Sequence, residues 1–472
     1  MKKIISVILA AFLLLASGCS VSEVPQSTQS TQSTKSSDAA VVKTTAKAQA
    51  LAQAELPSQA PYPDVSAFTG SGDRFDSKGY EAANEAYIKD VMARREAGTE
   101  YGGELDEFFA KCAAQLLAEA GEDNSICSPV NIFAAMAMLA ELTDGQSRRQ
   151  VLELLGVPDI ETLRRLAGTL QEAIYQDDGA ATVISANSVW LRNDTTYVKE
   201  ALERLANDHY ADSFAGEMGS EELNAALQAW LNDHTGGLLA DQAAGVETDP
   251  ATICALASTL YFRSKWMDEF IPDRTSQEVF HTPGGDVQHA FMHQSYNGTY
   301  FAGDNFGMVG KYFEGGDCTM WFILPDEGVT PDELLADQQL YTFLLDRGTE
   351  KWKDSKDLMI DLSVPKFDVS SDLELTEELK VLGVKDVFDP DASDFSPLTT
   401  DTDQIAVSEI KHAVRVKIDE EGCEAAAYTE MMMAGAAIPP DDRIDFTLDR
   451  PFVFAVTGTA NLPLFVGVVN QP

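Results

Sequence analysis

The apolar residues of this chain change their spacing part-way along, and that change limits the folds open to it. In the first half they recur at helical spacing, as in LDEFFAKCAAQLLAEAG and in SEELNAALQAWLNDHTGGLLADQ, a helix closed by Gly236 and Gly237. In the second half, β-branched and aromatic runs such as TICALASTLYFRSKW and KDLMIDLSVPKFDVS predict strands. Helices first and strands later predict a mixed α+β domain with a large sheet, from about residue 101 to residue 472.

The first twenty residues, MKKIISVILAAFLLLASGCS, are typical of a signal peptide. Two lysines precede an apolar run that is too short to cross a bilayer, and small residues follow. We therefore expect residues 1–18 to be removed. LLASGC resembles the lipobox of bacterial lipoproteins, which implies that Cys19 carries a lipid; ordinary cleavage after the small residues is the alternative. The expected location is the outer face of a bacterial membrane, or outside the cell.

Residues 19–100 lack the pattern of a packed domain. From residue 19 to residue 60 the chain is rich in Ser, Thr, Gln and Ala and low in bulky apolar residues, so we expect a disordered tether. Residues 61–100 form an N-terminal extension, in which YEAANEAYIKDVMARREAG could form a helix that ends at Gly98. This extension is either a spacer or a segment that helps to recruit a target.

The chain is strongly acidic. Its formal charge is −42, and removing residues 1–18, whose only charges are two lysines, leaves −42 − 2 = −44. The acidic residues are spread along the chain rather than gathered in a tail. A surface of this sign repels phosphates, so nucleic acids and anionic membrane surfaces are poor partners. We expect a soluble monomer that meets a membrane only through its N-terminal lipid.

The cysteines and histidines form neither a disulfide framework nor a metal pattern. Beyond Cys19 there are five cysteines at scattered spacing, an odd number without a CxxC pair. Cys112 shares the apolar face of a helical run with Phe108, and we expect it in the core. His289 and His293 are four apart in HAFMH, but the run is typical of a strand with no third ligand near, so we expect no metal site.

Signatures of catalysis are missing from the sequence. It contains no GxSxG elbow, no Walker A loop, no GxGxxG run and no HExxH motif. Only six histidines are present, and the carboxylates are too numerous for one acid–base pair to stand out. The sequence therefore does not favour an enzyme, and it implies no cofactor.

A plain segment, EEGCEAAAYTEMMMAGAAIPP from Glu420 to Pro440, precedes the strongly patterned run RPFVFAVTGTANLPLFVGVVNQP. With a period of two, one face carries Cys423, small residues and methionines, while the other is more polar, as in a strand with one buried face. Yet Ala, Glu and Met are good helix formers. The segment is locally ambivalent: it could lie in a loop and still fit between packed strands, with Gly422 as a hinge.

EEGCEAAAYT, the IPP that follows it and the last strands resemble the reactive-centre loop and C-terminus of serpins, the serine protease inhibitors. The resemblance covers roughly residues 101–472. It implies the serpin fold, an α+β arrangement of about eight to nine helices around three β-sheets with an exposed reactive-centre loop. The motifs that follow serpin patterns in serpin order are NSICSPVNIFAAMAMLAEL, ISANSVWLRN, AWLNDHTGGLL, STLYFRSKW, FHTPGG, TMWFILPDEG, VPKFDVSSDLELTEELKVLGVKDVF and ASDFSPLT.

The resemblance implies inhibition without catalysis. A protease attacks the loop as a substrate, and the cleaved loop enters the main sheet as a new strand before the acyl-enzyme is hydrolysed. Cys423 stands where serpins most often have Thr, and its thiol could oxidise. The short side chains of Ala425 to Ala427 are typical of inhibitory members. The implied hinge residues are Glu420, Glu421, Gly422, Cys423, Glu424, Ala425, Ala426 and Ala427.

The resemblance also implies the position of the scissile bond. Counted from the hinge and checked against IPP, the bond lies between Ala436 and Ala437. An alanine before the cut suits the small primary pocket of elastase-like proteases or the tolerant pocket of subtilisin-like proteases, but not a trypsin-like pocket, which takes Arg or Lys. A bond after Met433 is the alternative, and loop length argues against it.

Two further groups of residues match the region where a serpin sheet opens. Ser128, Asn131, Ser258 and His412 correspond to the shutter, with Asn131 where serpins usually have Ser and Ser258 where they usually have Asn. This exchange predicts a hydrogen-bond cluster with swapped partners, in which Asn131 faces His412; the alternative is that Ser258 only packs. Trp266 corresponds to the tryptophan beneath the point of first insertion, the breach, and it could also be an aromatic core anchor.

Together these observations favour a lipid-anchored inhibitory serpin. Its expected task is to shield the cell surface from elastase-like or subtilisin-like serine proteases, with no catalytic residue and no metal of its own. The alternative within the family is a serpin-fold surface binding protein that does not trap proteases. A surface enzyme is a third interpretation, and it requires a convergent polar cluster in a pocket.

Overall fold

The computed structural model of the 472-residue chain describes residues 48–69, 75–118, 121–345, 355–402, 404–407, 410–423 and 442–472. Eleven α-helices lie in these ranges. Most begin at a residue whose side chain accepts a hydrogen bond from the first turn, such as Ser128, Asp159 and Ser220. The helices are α1 Ser77–Tyr101, α2 Asp106–Leu117, α3 Pro129–Leu142, α4 Gly145–Leu155, α5 Ile160–Ile174, α6 Lys199–Asp208, α7 Glu221–His234, α8 Ala240–Ala243, α9 Pro331–Leu335, α10 Gln338–Leu344 and α11 Thr376–Val381.

Seventeen β-strands occupy the same ranges, most of them in the second half of the chain, as the sequence predicts. They are β1 Gln49–Ala52, β2 Ser125–Cys127, β3 Gln176–Asp177, β4 Ala181–Arg192, β5 Ala211–Gly216, β6 Cys254–Lys265, β7 Ser276–Thr282, β8 Gly285–Ala302, β9 Phe306–Tyr312, β10 Thr319–Pro325, β11 Ser355–Pro365, β12 Phe367–Glu374, β13 Lys411–Ile418, β14 Gly422–Cys423, β15 Arg443–Thr447, β16 Phe452–Thr457 and β17 Pro463–Val469.

The strands pair into two sheets. The main sheet has the order β1-β5-β4-β6-β14-β13-β12, and β3 pairs with β4. The second sheet has the order β15-β11-β8-β9-β10-β16-β17-β2, and β7 pairs with β8. Pairing is antiparallel except for β4 with β5 and β11 with β15. This mixture of helices and largely antiparallel sheets is the α+β class that the sequence predicts.

The count of sheets and helices differs from the expectation of about eight to nine helices around three sheets. The 18-residue strand β8 pairs with β7 near its start and with β9 at its end, so its ladder joins two strand groups into one continuous sheet. Three short helices, α8, α9 and α11, add single turns between longer elements. The described part of the chain therefore has eleven helices and two sheets.

The core lies around α3, between the two sheets. This helix packs against β6 of the main sheet and β17 of the second. Twelve of its fourteen residues are buried, so it is enclosed on nearly all sides rather than along one stripe. Cys112 of α2 belongs to the same core, as the sequence predicts, and burial raises the pKa of its thiol to about 12.

The helix of the N-terminal extension is longer than the sequence predicts. It does not end at Gly98 but continues to Tyr101, where Gly102 adopts the left-handed conformation (φ 62°). Gly98 is instead a contact point, because a Cβ there would lie 2.8 Å from the Cβ of Ala460. The extension thus packs on the domain, against α5 and the turn at Thr459–Asn461.

The expected tether, residues 19–60, differs from the structure at its C-terminal end. Residues 49–52 form β1, which pairs antiparallel with β5 at the edge of the main sheet. An edge strand offers unpaired backbone groups, so a short polar and small-residue segment can pair there without an apolar face of its own. Residues 1–47, including the predicted signal peptide and Cys19, lie outside the described residues. In the described ranges no helix has the length and apolar content that a membrane span requires.

Candidate functional site

The predicted hinge starts inside the main sheet. After β13 the chain turns at residues 419–421 and returns as β14. On its other side β14 pairs antiparallel with β6, with Gly422 opposite Lys265 and Cys423 opposite Ser264. The first residues of the loop therefore already occupy a place between β6 and β13.

Position 422 has no room for a side chain, so only glycine fits there. A Cβ on Gly422 would lie 2.3 Å from the carbonyl oxygen of Ser264 and 2.8 Å from the Cα of Lys265, and both are backbone atoms. The sequence predicts a hinge from the backbone freedom of glycine, whereas the structure shows the close approach of two strands as the reason. Cys423 is 2 % exposed and lies in the hydrophobic core, which shields its thiol from solvent oxidants.

A short segment after β6 holds the turn of the hinge. We call residues 419–421 the pivot and residues 266–270 the clamp segment. The indole and backbone N–H groups of Trp266 and the backbone N–H of Phe270 donate to the three carbonyl groups of the pivot, each at 2.9 Å. Trp266 is buried and stacks on Phe313, with ring centroids 4.5 Å apart. The structure thus places Trp266 directly against the start of the loop.

The side chain of Glu420 binds the pivot to Lys366 and Thr275. Its Oε2 lies 2.5 Å from Nζ of Lys366, in the corner between β11 and β12, and its Oε1 accepts from the hydroxyl of Thr275 at 2.7 Å. Partial burial raises the pKa of Glu420, but the hydrogen bonds from Lys366 and Thr275 outweigh it and hold the pKa below its usual value. Glu420 therefore stays charged and paired at neutral pH.

The four predicted shutter residues lie in one hydrogen-bond chain. The backbone N–H of Ser128 donates to Nε2 of His412 at 3.0 Å, and Nδ1 of His412 lies 3.1 Å from Oδ1 of Asn131. Nδ2 of Asn131 donates to Oγ of Ser258 at 2.6 Å, which in turn donates to Oδ1 of Asn187 at 2.7 Å. Each group donates to the next, so the chain crosses from β13 through α3 to β6 and β4. Asn131 faces His412, and Ser258 does more than pack.

The protonation state of His412 follows from its surroundings. Because the Ser128 N–H donates to Nε2, that nitrogen carries no proton, and Nδ1 is the N–H that donates to Asn131. Burial lowers the pKa of His412 to about 3, because removal from water disfavours the charged imidazolium. The ring is thus neutral at physiological pH, and both nitrogens have structural partners rather than a catalytic task.

Below β14, the described parts of β6 and β13 are not paired with each other. Within the described residues, β14 is the one strand paired with the β13-facing edge of β6, and it reaches only Ser264 and Lys265. A cavity of about 840 Å³ lies beside the remainder of β6, between that strand and β13. Its lining includes Ile132 and Met136 of α3, Leu256 of β6, and His412. We call this space the slot; it has the position of a missing strand and an apolar floor.

The two histidines that the sequence analysis considered as metal ligands have protein partners. His289 and His293 lie on β8, as predicted. Nε2 of His289 is 2.7 Å from the carbonyl oxygen of Lys366, and the ring nitrogens of His293 contact Ser363 and Glu278. Among the described residues no group of three His, Cys, Asp or Glu side chains could hold a metal ion. The described site therefore offers strand pairing rather than metal or acid–base chemistry.

Several predicted site residues lie outside the described residues, namely Cys19, Glu424, Ala425, Ala426, Ala427, Ala436 and Ala437. The structure adds two residues that the sequence analysis missed. Asn187 completes the shutter chain, and its signal was a polar side chain inside the apolar strand motif ISANSVW. Lys366 pairs with the pivot, and a lone cation between two β-rich runs in SVPKFDVS was its signal.

A slot in the main sheet beside an anchored loop is typical of proteins in which a segment of the same chain can add a strand to the sheet. A family model described as serpin (serine protease inhibitor) matches residues 104–472. The chain belongs to the serpin family. Membership supports protease inhibition as its general activity, and serpins are inhibitors rather than catalysts.

Individual relatives are distant but cover most of the chain. Serpin-Z1C of Triticum aestivum is 29% identical over 364 residues, covering 74% of this chain and 90% of that protein. Antithrombin-III of Homo sapiens is 26% identical over 379 residues, covering 77% and 80%.

Solved structures agree on the fold. The thermophilic serpin tengpin in its native state is 23% identical with a TM-score of 0.70, covering 90% of this chain and 100% of that chain. Thyroxine-binding globulin in complex with thyroxine is 20% identical with a TM-score of 0.66, covering 78% and 99%. At such identities the likeness concerns the fold alone.

Proposed function

We propose that this protein inhibits serine proteases as a single-use suicide substrate. The protease cleaves the reactive loop, and the loop then enters the slot as a new strand of the main sheet while the acyl-enzyme is still intact. One observation supports this proposal: β14 is already paired at the upper end of a slot along which no other described strand pairs with this edge of β6. Insertion would extend a strand that has already begun, so it avoids the cost of starting one.

The register of β14 indicates how far the loop would extend. Cys423 lies opposite Ser264. Continuing the antiparallel register places Ala425 opposite Phe262 and Met433 opposite Cys254, where β6 begins. The side chain of Cys423 faces the core, so Ala425, Ala427 and Thr429, and then Met431 and Met433, would face the apolar floor of the slot. The composition of the loop therefore fits the space.

The proposed scissile bond is Ala436–Ala437, three residues beyond Met433 in the sequence. An alanine at the cut fills a small primary pocket without strain, which favours elastase-like proteases and the tolerant subtilisin-like ones. A cleaved loop that pairs along the whole of β6 would carry the attached protease from the pivot end of the sheet to the other end. The bound protease would then be distorted before it could release its acyl group.

A non-inhibitory binding role is the second candidate. The slot is large enough for a small ligand, and a similar fold is known in complex with thyroxine. In that case the loop would be cleaved without trapping the protease.

The test is to mix the protein with an elastase-type serine protease and to analyse the products by denaturing gel electrophoresis and mass spectrometry. We expect a covalent complex that survives denaturation and a released peptide that begins at Ala437. A matched control, Ala425→Arg, places a charged side chain where the loop would enter the slot, and it should be cleaved at the same bond without forming the complex. Cleavage of the unmodified protein without any complex would support the binding role instead.

A further inference from the structure

A lysine lies buried behind the breach without a carboxylate ion pair among the described residues. Lys311, on β9, is 5 % exposed. Its Nζ donates to the carbonyl oxygen of Asp268, at 2.5 Å, and to Oε1 of Gln294. Aromatic rings surround it, with Nζ 4.5 Å from the ring centre of Phe270, 5.4 Å from that of Trp266 and 5.9 Å from that of Tyr296.

The contacts of Lys311 fall on the clamp segment. Gln294, which accepts from Lys311, also donates through Nε2 to the carbonyl groups of Asp268 and Glu269, at 3.3 and 3.4 Å. These carbonyl groups lie between Trp266 and Phe270, whose N–H groups hold the pivot. The clamp segment is therefore bound on one side by Lys311 and Gln294, and on the other side it binds the hinge.

We propose that Lys311 is a positioning residue for the inhibitory step: it fixes the clamp segment, and through it the pivot about which the cleaved loop turns into the slot. This inference rests on the proposed function. Because Lys311 is buried, it does not itself contact an attacking protease, and we expect it to act after cleavage. It then governs whether insertion or hydrolysis of the acyl-enzyme comes first.

The charges around Lys311 define its protonation. Asp268 is the carboxylate whose charge favours the ammonium, while Glu269 interacts with Lys265, Glu421 and Asp419 instead. Tyr296 stays neutral, because burial raises its pKa above the usual range. Burial outweighs the effect of Asp268 and lowers the pKa of Lys311 to about 7.

The lowered pKa of Lys311 determines whether folding stability rises or falls with pH. Between about pH 7 and the ordinary lysine value of 10.5 the unfolded chain binds a proton that the folded chain does not, so stability rises with pH in that window. This rise should be present in the unmodified protein and absent from Lys311→Met. The pH profile therefore reports that the amine of Lys311 is buried, while hydrogen exchange and trapping test its positioning role.

The experiment compares the unmodified protein with Lys311→Met, Lys311→Arg and Val309→Ala. Val309→Ala is the matched control, since it shortens a buried side chain on the same strand whose paired neighbours are Tyr300 and Phe322. Three quantities are measured: hydrogen exchange of the Trp266 indole and of the backbone N–H of Phe270, the rate of protease attack, and the fraction of cleaved inhibitor that ends as covalent complex.

For Lys311→Met we expect exchange at Trp266 and Phe270 to be about tenfold faster, because the hydrogen bonds from Nζ of Lys311 that hold the clamp segment are lost. The fraction trapped should fall several-fold while the rate of attack stays unchanged. Lys311→Arg keeps a charged donor and should recover part of the trapping. Val309→Ala should lower thermal stability without changing the fraction trapped.

The proposal is overturned if Lys311→Met leaves exchange and trapping unchanged, or if Val309→Ala lowers trapping as much as Lys311→Met does. It is also overturned if Lys311→Arg recovers nothing while the pH profile of the unmodified protein is flat between pH 7 and 10. If the unmodified protein forms no complex at all, the proposed function fails. The exchange measurement then still decides whether Lys311 holds the pivot.

Discussion

His412 shows at the scale of a single residue how the main sheet is held together where it opens. Both of its ring nitrogens are used, one as acceptor and one as donor, and the chain they begin reaches Asn187 through Asn131 and Ser258. Replacing a usual Ser–Asn arrangement by Asn–Ser preserves the number of donors and acceptors. With Asn131 and Ser258 in these places, the hydrogen bonds of their side chains still join His412 of β13 to β6.

The neutral state of His412 predicts how stability depends on pH. Its pKa is lowered from 6.5 to about 3 in the folded chain, so between these values the unfolded chain binds a proton that the folded chain does not. Stability should then decrease as pH falls from about 6.5 toward 3. The measurement is thermal unfolding against pH for the unmodified protein and for His412→Gln. The variant, which cannot titrate, should lose that part of the dependence, and equal slopes would show that His412 is not its source.

At the scale of elements, a buried carboxylate joins three helices behind the main sheet. Glu141 of α3 is fully buried and meets Arg164 of α5 through two hydrogen bonds of 2.8 Å, as well as Arg204 of α6 and His209. Burial alone raises the pKa of Glu141, but the hydrogen bonds from His209, Arg164 and Arg204 outweigh it and hold the pKa well below its usual range. The three helices are thus linked through a single charge.

Removing that charge should destabilise the chain. Glu141→Gln keeps the shape but leaves two guanidinium groups without their buried partner, so we expect a loss of about 3–5 kcal/mol in the free energy of unfolding. Since the pKa of Glu141 is lowered, the contribution is present above pH 4.5 and is lost as pH falls through the folded-state value. Denaturant unfolding at neutral pH measures the loss. Glu161→Gln is the control, because its carboxylate also meets Arg164 but is 77% exposed; equal losses in the two variants would contradict the account.

Elements differ in how far the sequence could predict them. The helices α7 and α3 can be predicted from their local sequences. The pattern of apolar residues indicates which side chains must be buried, on one face or on most sides. β1 could not be predicted, because its backbone pairs with an edge provided by β5, far away in sequence. The same holds for Gly98, where the decisive contact is Ala460, and for Lys366, whose partner Glu420 lies in the pivot.

At the scale of the whole molecule, the slot and the start of the loop belong to one functional unit of the main sheet. The shutter chain crosses from β13 to β6 on the α3 side, the clamp segment holds the pivot above, and a cavity of about 840 Å³ lies between. Family membership was predictable from motif order, because many independent segments agreed. The slot was not, since it lies between β6 and β13, two strands that are far apart in sequence and that pair with each other only through β14 in the described residues.

The central claim is that residues 424–433 become a strand paired with β6 after the loop is cut. The most direct measurement is hydrogen exchange, by mass spectrometry, on the intact protein and on the protein cleaved at Ala436–Ala437. The account predicts that amides of residues 424–433 become strongly protected after cleavage, together with those of β6, and that the melting temperature rises. Unchanged exchange in both segments after cleavage would contradict it, because a cleaved loop that stays outside the slot cannot trap a protease by this route.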